Sequence, residues 1–471
     1  MTRGNNNLSF QSFNDHLEYL VRFDHMEILE FFHNKFKNVK WSLHNALYRS
    51  LVMRKERYIR FFVDNRFSDF NSSLISVAVS MCAIGCSIDI VRYVCEKFDR
   101  YYLSKDNLNS VIIGGKLDVV KYFLEPNGKN NNCVMECPID SAVDAAHYQS
   151  NEMVMYFSEN HPSTITRKVI DTLAKQGSLG IMRQLLEQHS IGGTTAAIDL
   201  AAMNGHFNIV QWLTEHSKTG CTSDALDYAA ERGHLSVVEF LHSNRVEGCT
   251  KRALNLAATN GHLQVVKFLH YNRSEGCNTK AAEGAAVNGH LETLKFLLDN
   301  RTEQYGVNIL DKVAHAGQLE VLKYLISIKK GGPSLRFNNT NIFNNCVSSR
   351  RLEVVKYLHQ ECGMKYNDAA IDLAILNNDT TMLKYLLEFA DFQPIQCNNQ
   401  RMIKVVEKNY FDLLKILWEK KLCAKLCIRT LSYNNRYEMF KYALDNNIHI
   451  YGPKCSIEKM KQSLYLNIPY C

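Results

Sequence analysis

The dipeptide Gly-His recurs at Gly205-His206, Gly233-His234, Gly261-His262 and Gly289-His290, each pair one step of 28 after the last. Gly177 stands one such step earlier and Gly317-Gln318 one step later, so six intervals of 28 run from Gln149 to Gly317. A fixed period in this range is the mark of a repeat array. One short unit cannot bury both of its faces, whereas stacked copies bury a continuous core. The period therefore constrains the fold more than the length of 471 residues does. At about 100–200 residues per domain, that length alone suggests about three globular domains.

The clearest unit, Ser223–Thr250, reads SDALDYAAERGHLSVVEFLHSNRVEGCT, and the next, Lys251–Asn278, reads KRALNLAATNGHLQVVKFLHYNRSEGCN. Each predicts a helical hairpin. Thr222, Thr250 and Asn278 stand where an N-cap satisfies orphan amides of a first helix. Leu226, Ala229 and Ala230 form its apolar stripe, and the small alanines let helices approach closely. Gly233 ends that helix in the left-handed conformation glycine adopts cheaply. Leu235, Val238 and Leu241, widened by Val237 and Phe240, give the stripe of a second helix. Arg245, Glu247 and Gly248 belong to the polar turn that follows. Weaker copies extend both ways, for example Leu117–Phe123 and Leu352–Leu358, with fainter ones at Met26–Phe32 and Glu438–Ala443. About 15 units cover nearly the whole chain.

The core Tyr228-Ala229-Ala230-Glu231-Arg232-Gly233-His234-Leu235-Ser236-Val237-Val238-Glu239-Phe240-Leu241 resembles the ankyrin repeat. Two departures stand out. Asp224-Ala225-Leu226-Asp227 replaces the family's Thr-Pro-Leu-His opening, and the period is 28 rather than the family's usual 33. The resemblance implies an all-α, ankyrin-type α-solenoid of about 15 stacked hairpins with short or absent β-turn fingers. The expected organisation is degenerate N-terminal repeats or a cap at 12–70 and moderate repeats at 71–194. Strong repeats follow at 195–330, degenerate C-terminal repeats at 331–450, and a tail at 451–471. In the family, variable first-helix positions on the concave face meet a partner. Carried over by register, these are Leu200, Met203, Tyr228, Glu231, Arg232, Leu256, Thr259 and Val287, flanked by Asn204, Asn260, Gly284 and Asn288. Tyr and Arg are enriched at interface hot spots.

Other readings are weaker on physical grounds. The recurrent His206, His234, His262 and His290 stand one per repeat, roughly 8–10 Å apart in packed helices, too far to share a zinc that needs ligands at about 2 Å. They are expected to bond backbone groups of the turn. Cys221, Cys249 and Cys277 share that spacing and are read as small buried apolar residues. The Cys82/Cys86, Cys133/Cys137 and Cys423/Cys427 pairs suit one helix face, without a second pair at zinc-finger spacing. Fifteen cysteines and no apolar leader behind Met1 point to reduced thiols in a cytoplasmic location, with the nucleus left open. The uncharged stretch from Phe70 to Ile88 is too polar for a span and fits a buried first helix ended by Gly85.

No phosphate-binding loop, zinc-protease or nucleophile-elbow motif is present, and Asp224 and Asp227 are read as a solvated helix face. The basic cluster Lys415, Lys420, Lys421, Lys425, Arg429 and Arg436 is also read as solvated. Insertions near Lys329–Pro333 and Pro126–Pro138 are read as tolerated loops. The net charge of +7 and the lack of an aromatic or Arg ladder in the 228/231/232 register argue against nucleic acid. The sequence thus predicts a monomeric, non-catalytic scaffold for unidentified protein partners, with no nucleic acid, membrane, cofactor or metal. A ubiquitin-ligase substrate adaptor is the alternative, and it requires a recruiting module in place of repeats within 1–70.

Overall fold

The computed structural model describes residues 17–36, 40–41, 43–98, 105–125, 136–303, 305–306, 308–328, 342–389, 399–420, 425–427, 431, 436–451 and 457–458. They divide into two compact units, residues 1–229 with 236–248, and residues 230–235 with 249–471. The first unit is a succession of helical hairpins. A helix at 17–22 pairs with Met26–Lys35, His44–Val52 with Glu56–Asn65, and Ser72–Gly85 with Ile88–Lys97. Lys105–Ile113 with Leu117–Leu124, Ser141–His147 with Asn151–Asn160, Arg167–Gln176 with Leu179–His189, and Thr195–Met203 with Phe207–His216 continue the pattern. The helices Ser223–Arg232 and Leu235–Asn244 carry residues of both units. The second unit repeats the plan from Lys251–Thr259 with Leu263–Asn272 to Asn399–Glu407 with Phe411–Glu419. Near its end one short strand pair joins the helical array: Lys425–Cys427 pairs in parallel with His449–Tyr451, Leu426 opposite Ile450.

Hairpin geometry follows from one backbone position. Gly177, Gly205, Gly233, Gly261, Gly289 and Gly317 all have φ between 73° and 87°. The same left-handed turn persists where glycine is missing, at Asp24, Arg54, Gln149, Arg350, Asn378 and Asn409, with φ between 52° and 66°. The fading of Gly-His toward both ends is therefore a loss of sequence signal and not of the turn. A residue with a Cβ costs roughly 1–2 kcal/mol in that conformation. Arg54→Gly is accordingly expected to stabilise the first unit by about 1 kcal/mol, read as a rise of about 2–4 °C in its melting midpoint.

The core lies between the helices of successive hairpins. Leu226, Ala229, Ala230, Val237, Val238 and Leu241 are buried, so Val237 belongs to the core stripe, while Leu235 is half-buried. The stretch from Phe70 to Ile88 is a first helix, Ser72–Gly85, capped by Asn71, whose Oδ1 accepts the Leu74 amide at 2.8 Å. Its end differs from expectation. Gly85 stays helical and Cys86 leaves the helix in an extended conformation. Among the described residues, no helix is long and apolar enough to cross a membrane.

One side-chain cluster locks the start of the first unit. Arg66 and Asp69, 3% and 5% exposed, form a buried ion pair, with Arg66 Nε 2.7 Å from Asp69 Oδ2. The same carboxylate oxygen accepts the Trp41 amide at 3.1 Å, and the guanidinium lies 4.3 Å above the Trp41 ring.

Candidate protein-binding face

A candidate binding face is defined by elimination, because most polar positions of the repeat are spent on holding the stack together. The first such position carries an acid or amide at Asp171, Asp199, Asp227, Asn255 and Glu283, one in each repeat. Asp199 accepts the Thr222 amide and the Thr222 hydroxyl, both at 2.9 Å. Asp171 holds Thr194 in the same way, with both bonds at 2.8 Å. Asn255 accepts the Asn278 amide at 3.1 Å, and Glu283 accepts the Gly306 amide at 2.8 Å while pairing with Lys312. Thr222, Thr250 and Asn278 are N-caps, as the sequence predicts, and Thr194 is a further one; Thr222 Oγ1, for example, accepts the Asp224 amide at 3.1 Å. Asp171, Asp199 and Asn255 therefore each clamp the N-cap of the next first helix. Burial pushes the Asp199 carboxyl up, against the lowering by its two Thr222 bonds. The solvated reading of Asp227 is corrected, since it is fully buried in this register. The recurrence of an acid or amide at one position of the repeat was the available signal.

The histidines serve a second inter-repeat contact. His206 Nε2 lies 3.0 Å from Lys175 O, and its ring packs on Gly177 of the preceding turn. His262 and His290 lie likewise on Gly233 and Gly261. The bond reaches back to the previous turn rather than closing its own. Other residues fill this register in the weaker repeats: Lys55 bonds Val21 O, Lys116 bonds Cys86 O, and Arg351 bonds His315 O. Arg436 bonds Val406 O and Glu407 O at 3.0 and 2.7 Å, which takes it out of the solvated basic cluster. Cationic side chains suit this place, where a preceding helix exposes its negative end.

A third contact involves the cysteines. Glu247 Oε1 accepts the Cys221 amide at 3.2 Å and pairs with Arg245 at 3.0 Å. Arg273 with Glu275 covers Cys249, and Arg301 with Glu303 covers Cys277. Arg245 and Glu247 are thus part of a repeated fork and not merely turn residues. Burial pushes the Cys221 and Cys277 thiols up, so both stay protonated packing groups. The Arg301 guanidinium holds the Glu303 carboxyl at about 2. A carboxyl lowered by folding stabilises above its unfolded pKa of about 4.3 and loses that contribution as pH falls through the folded value. With its side chain 28% exposed, Glu303 is expected to contribute only about 1 kcal/mol. Between pH 6 and 3, the wild-type melting midpoint should fall toward that of Glu303→Gln, closing the gap between them.

Among the described residues no group of three or more His, Cys, Asp or Glu side chains is placed to hold a metal. Cys82 and Cys86 share a helix end, with the Cys86 amide 2.8 Å from Cys82 O. Cys427 lies on a strand, which corrects its helix-face reading, and Cys133 and Cys423 fall outside the described residues. So do Lys421, Arg429, Lys329–Pro333 and 126–135. Lys415 pairs with Asp412 at 3.3 Å.

What remains is the surface of the first helices. In the first unit, Leu200, Met203 and Tyr228 are half-buried, with no role in the clamp. In the second, Glu231, Leu256 and Val287 are half-buried and Arg232 is exposed. Thr259 is committed elsewhere: its hydroxyl donates to Asn255 O at 2.8 Å, and its side chain packs on Gly284. The flanking amides are also engaged. Asn260 donates to Glu231 O and Asn288 to Thr259 O, both at 2.8 Å, while Asn204 donates to Leu200 O within its own helix.

A family model described as Ankyrin repeats matches the chain in three copies, over residues 170–253, 254–339 and 279–370. Residues 170–370 are ankyrin repeats. The matched ankyrin segments include the strong repeats and the clamps described above. No curated protein matches it. Solved structures similar to this chain include the pentatricopeptide repeat protein PPR10 in complex with an 18-nt psaJ RNA element, and a cysteine-to-serine form of the same complex. Each is 11% identical, with a TM-score of 0.38, covering 89% of this chain and 63% of that one. The chain thus spans less than two thirds of that protein's length. The exclusion of a nucleic-acid partner, drawn from net charge and one register, is corrected by these RNA-bound helical repeats and does not stand.

Proposed function

We propose that the chain is a non-catalytic scaffold that docks a partner protein on the outward surface of its first helices, the concave face in the ankyrin family. One observation carries this reading. The positions that stay constant from repeat to repeat are committed to inter-repeat bonds, whereas Leu200, Met203, Tyr228, Glu231, Arg232, Leu256 and Val287 vary in chemistry and keep accessible surface. Variation on a rigid, regular frame suits recognition of one partner over another. The adaptor alternative needs a recruiting module near the N-terminus. Described residues within 17–65 instead form two helical hairpins, and Lys55 and Tyr58 of the second bond Val21 O and Leu20 O of the first. No observation favours the adaptor.

The test is affinity purification from the native cell with wild type beside Tyr228→Ala/Glu231→Ala/Arg232→Ala, checked for equal helicity. A protein held by the wild type and lost by the variant supports the reading. An unchanged set of captured proteins contradicts it.

A further inference from the structure

The second helices carry a ladder that the first-helix reading leaves unused. In the register of Phe240, the chain places Tyr93, Tyr122, Tyr156, Trp212, Phe268, Phe296, Tyr324, Tyr357 and Tyr385. The residue just before is often basic, and it lies over the ring of the next repeat. Arg60 sits 4.6 Å from the Tyr93 centroid, Lys121 5.2 Å from Tyr156 and Lys295 5.6 Å from Tyr324. Each rung is a cation from one repeat on an aromatic face of the next.

One rung lacks both halves. Met155 stands where the cation belongs, and Gln184 stands where the ring belongs. A groove of about 650 Å³ opens there, across the second helices Leu117–Leu124, Asn151–Asn160 and Leu179–His189. Leu117, Met155 and Ile181 supply its apolar lining. Glu125, Glu152 and Glu159 set three exposed carboxylates around it, against one ammonium from Lys121. Tyr156 forms part of the wall, is only 5% exposed, and buries its hydroxyl beside the Glu125 carboxylate. Burial and the nearby Glu125 carboxylate push that hydroxyl's pKa up, so it stays protonated.

We propose that this groove is a docking pocket for an arginine side chain on an extended segment of a partner protein, which completes the missing rung. The chemistry matches part by part. The aliphatic stem of arginine covers Met155 and Ile181, and methionine adapts its shape to what it meets. The planar guanidinium offers five donors, enough for two of the rim carboxylates. An acidic rim repels acidic segments and phosphate backbones, so the site discriminates by charge as well as by shape. The pocket is separate from the first-helix residues proposed above and stands or falls independently of them.

The test uses the full chain and fluorescein-labelled decapeptides of alternating Arg and Leu, Lys and Leu, or Glu and Leu, read by fluorescence anisotropy at two salt concentrations. The Arg peptide is expected to bind, more weakly at high salt, with the Lys peptide several-fold weaker and the Glu peptide at background. Met155→Lys/Gln184→Phe rebuilds the rung and should weaken Arg-peptide binding by roughly tenfold or more, as should Glu152→Gln/Glu159→Gln. Tyr228→Ala/Glu231→Ala/Arg232→Ala should leave it unchanged. Equal binding to the rebuilt-rung variant, with helicity intact, overturns the proposal. So does comparable binding of the Glu peptide, or displacement of the Arg peptide by single-stranded RNA from this groove.

Discussion

Replacing Asp69 with alanine is expected to destabilise the first unit by about 3–5 kcal/mol, because it leaves the Arg66 charge buried without its partner. Arg66 is 3% exposed, so water cannot replace the lost carboxylate without the local packing opening. The damage should spread to Trp41, whose amide bonds the same carboxylate and whose ring carries the guanidinium. The measurement is urea unfolding followed by Trp41 fluorescence, in a background with Trp212 and Trp418 replaced by Phe. Removing both charges together, as Arg66→Met/Asp69→Leu, should recover most of the loss, since an apolar pair of similar volume is often neutral. A cost below about 1 kcal/mol for Asp69→Ala would show that the pair contributes no more than a surface ion pair.

The second large effect is expected at Gly284, where successive first helices approach closely. A Cβ placed there would overlap the Thr259 hydroxyl and stand 2.9 Å from its Cβ and 3.1 Å from its Cα. The glycine is ordinary helix backbone, so its role is space and not a turn. Gly284→Val is expected to cost about 3 kcal/mol, at the upper end for overpacking a close-packed interface. Thr259→Ala in the same chain removes the hydroxyl and should recover part of that cost, while the crowding against the Thr259 backbone remains. Unfolding of the second unit, followed by hydrogen exchange across Lys251–Thr259 and Thr279–Val287, reports both. If Gly284→Val and wild type exchange alike, the two helices do not pack as closely as their side chains indicate.

The repeat, its helical hairpins, the caps at Thr222, Thr250 and Asn278 and the left-handed turn at Gly233 were legible in the sequence, because each is a local rule repeated in place. What was missed lies between repeats. Asp227 looks solvated when only its own helix is considered, and buried once the register is compared with Asp199 gripping Thr222 in the next repeat. Arg245 and Glu247 look like turn residues until the cysteine beneath them is seen to belong to the preceding repeat. The histidines were correctly read as structural, but the carbonyl that His206 reaches is one repeat away. The pairing of Lys425–Cys427 with His449–Tyr451 joins two strands too short for periodicity to show. The binding face is the least legible part, because a recognition surface has no internal pattern that a single sequence can repeat.

The most direct test is site-specific photo-crosslinking in the native cell, with a photoreactive residue at Arg232 on a first helix and, as control, at Lys323 on a second helix. A discrete crosslinked protein is expected from position 232, competed away by untagged wild-type chain, and none of that protein from position 323. A crosslink to RNA at 232, or the same protein captured only from 323, would contradict the first-helix reading.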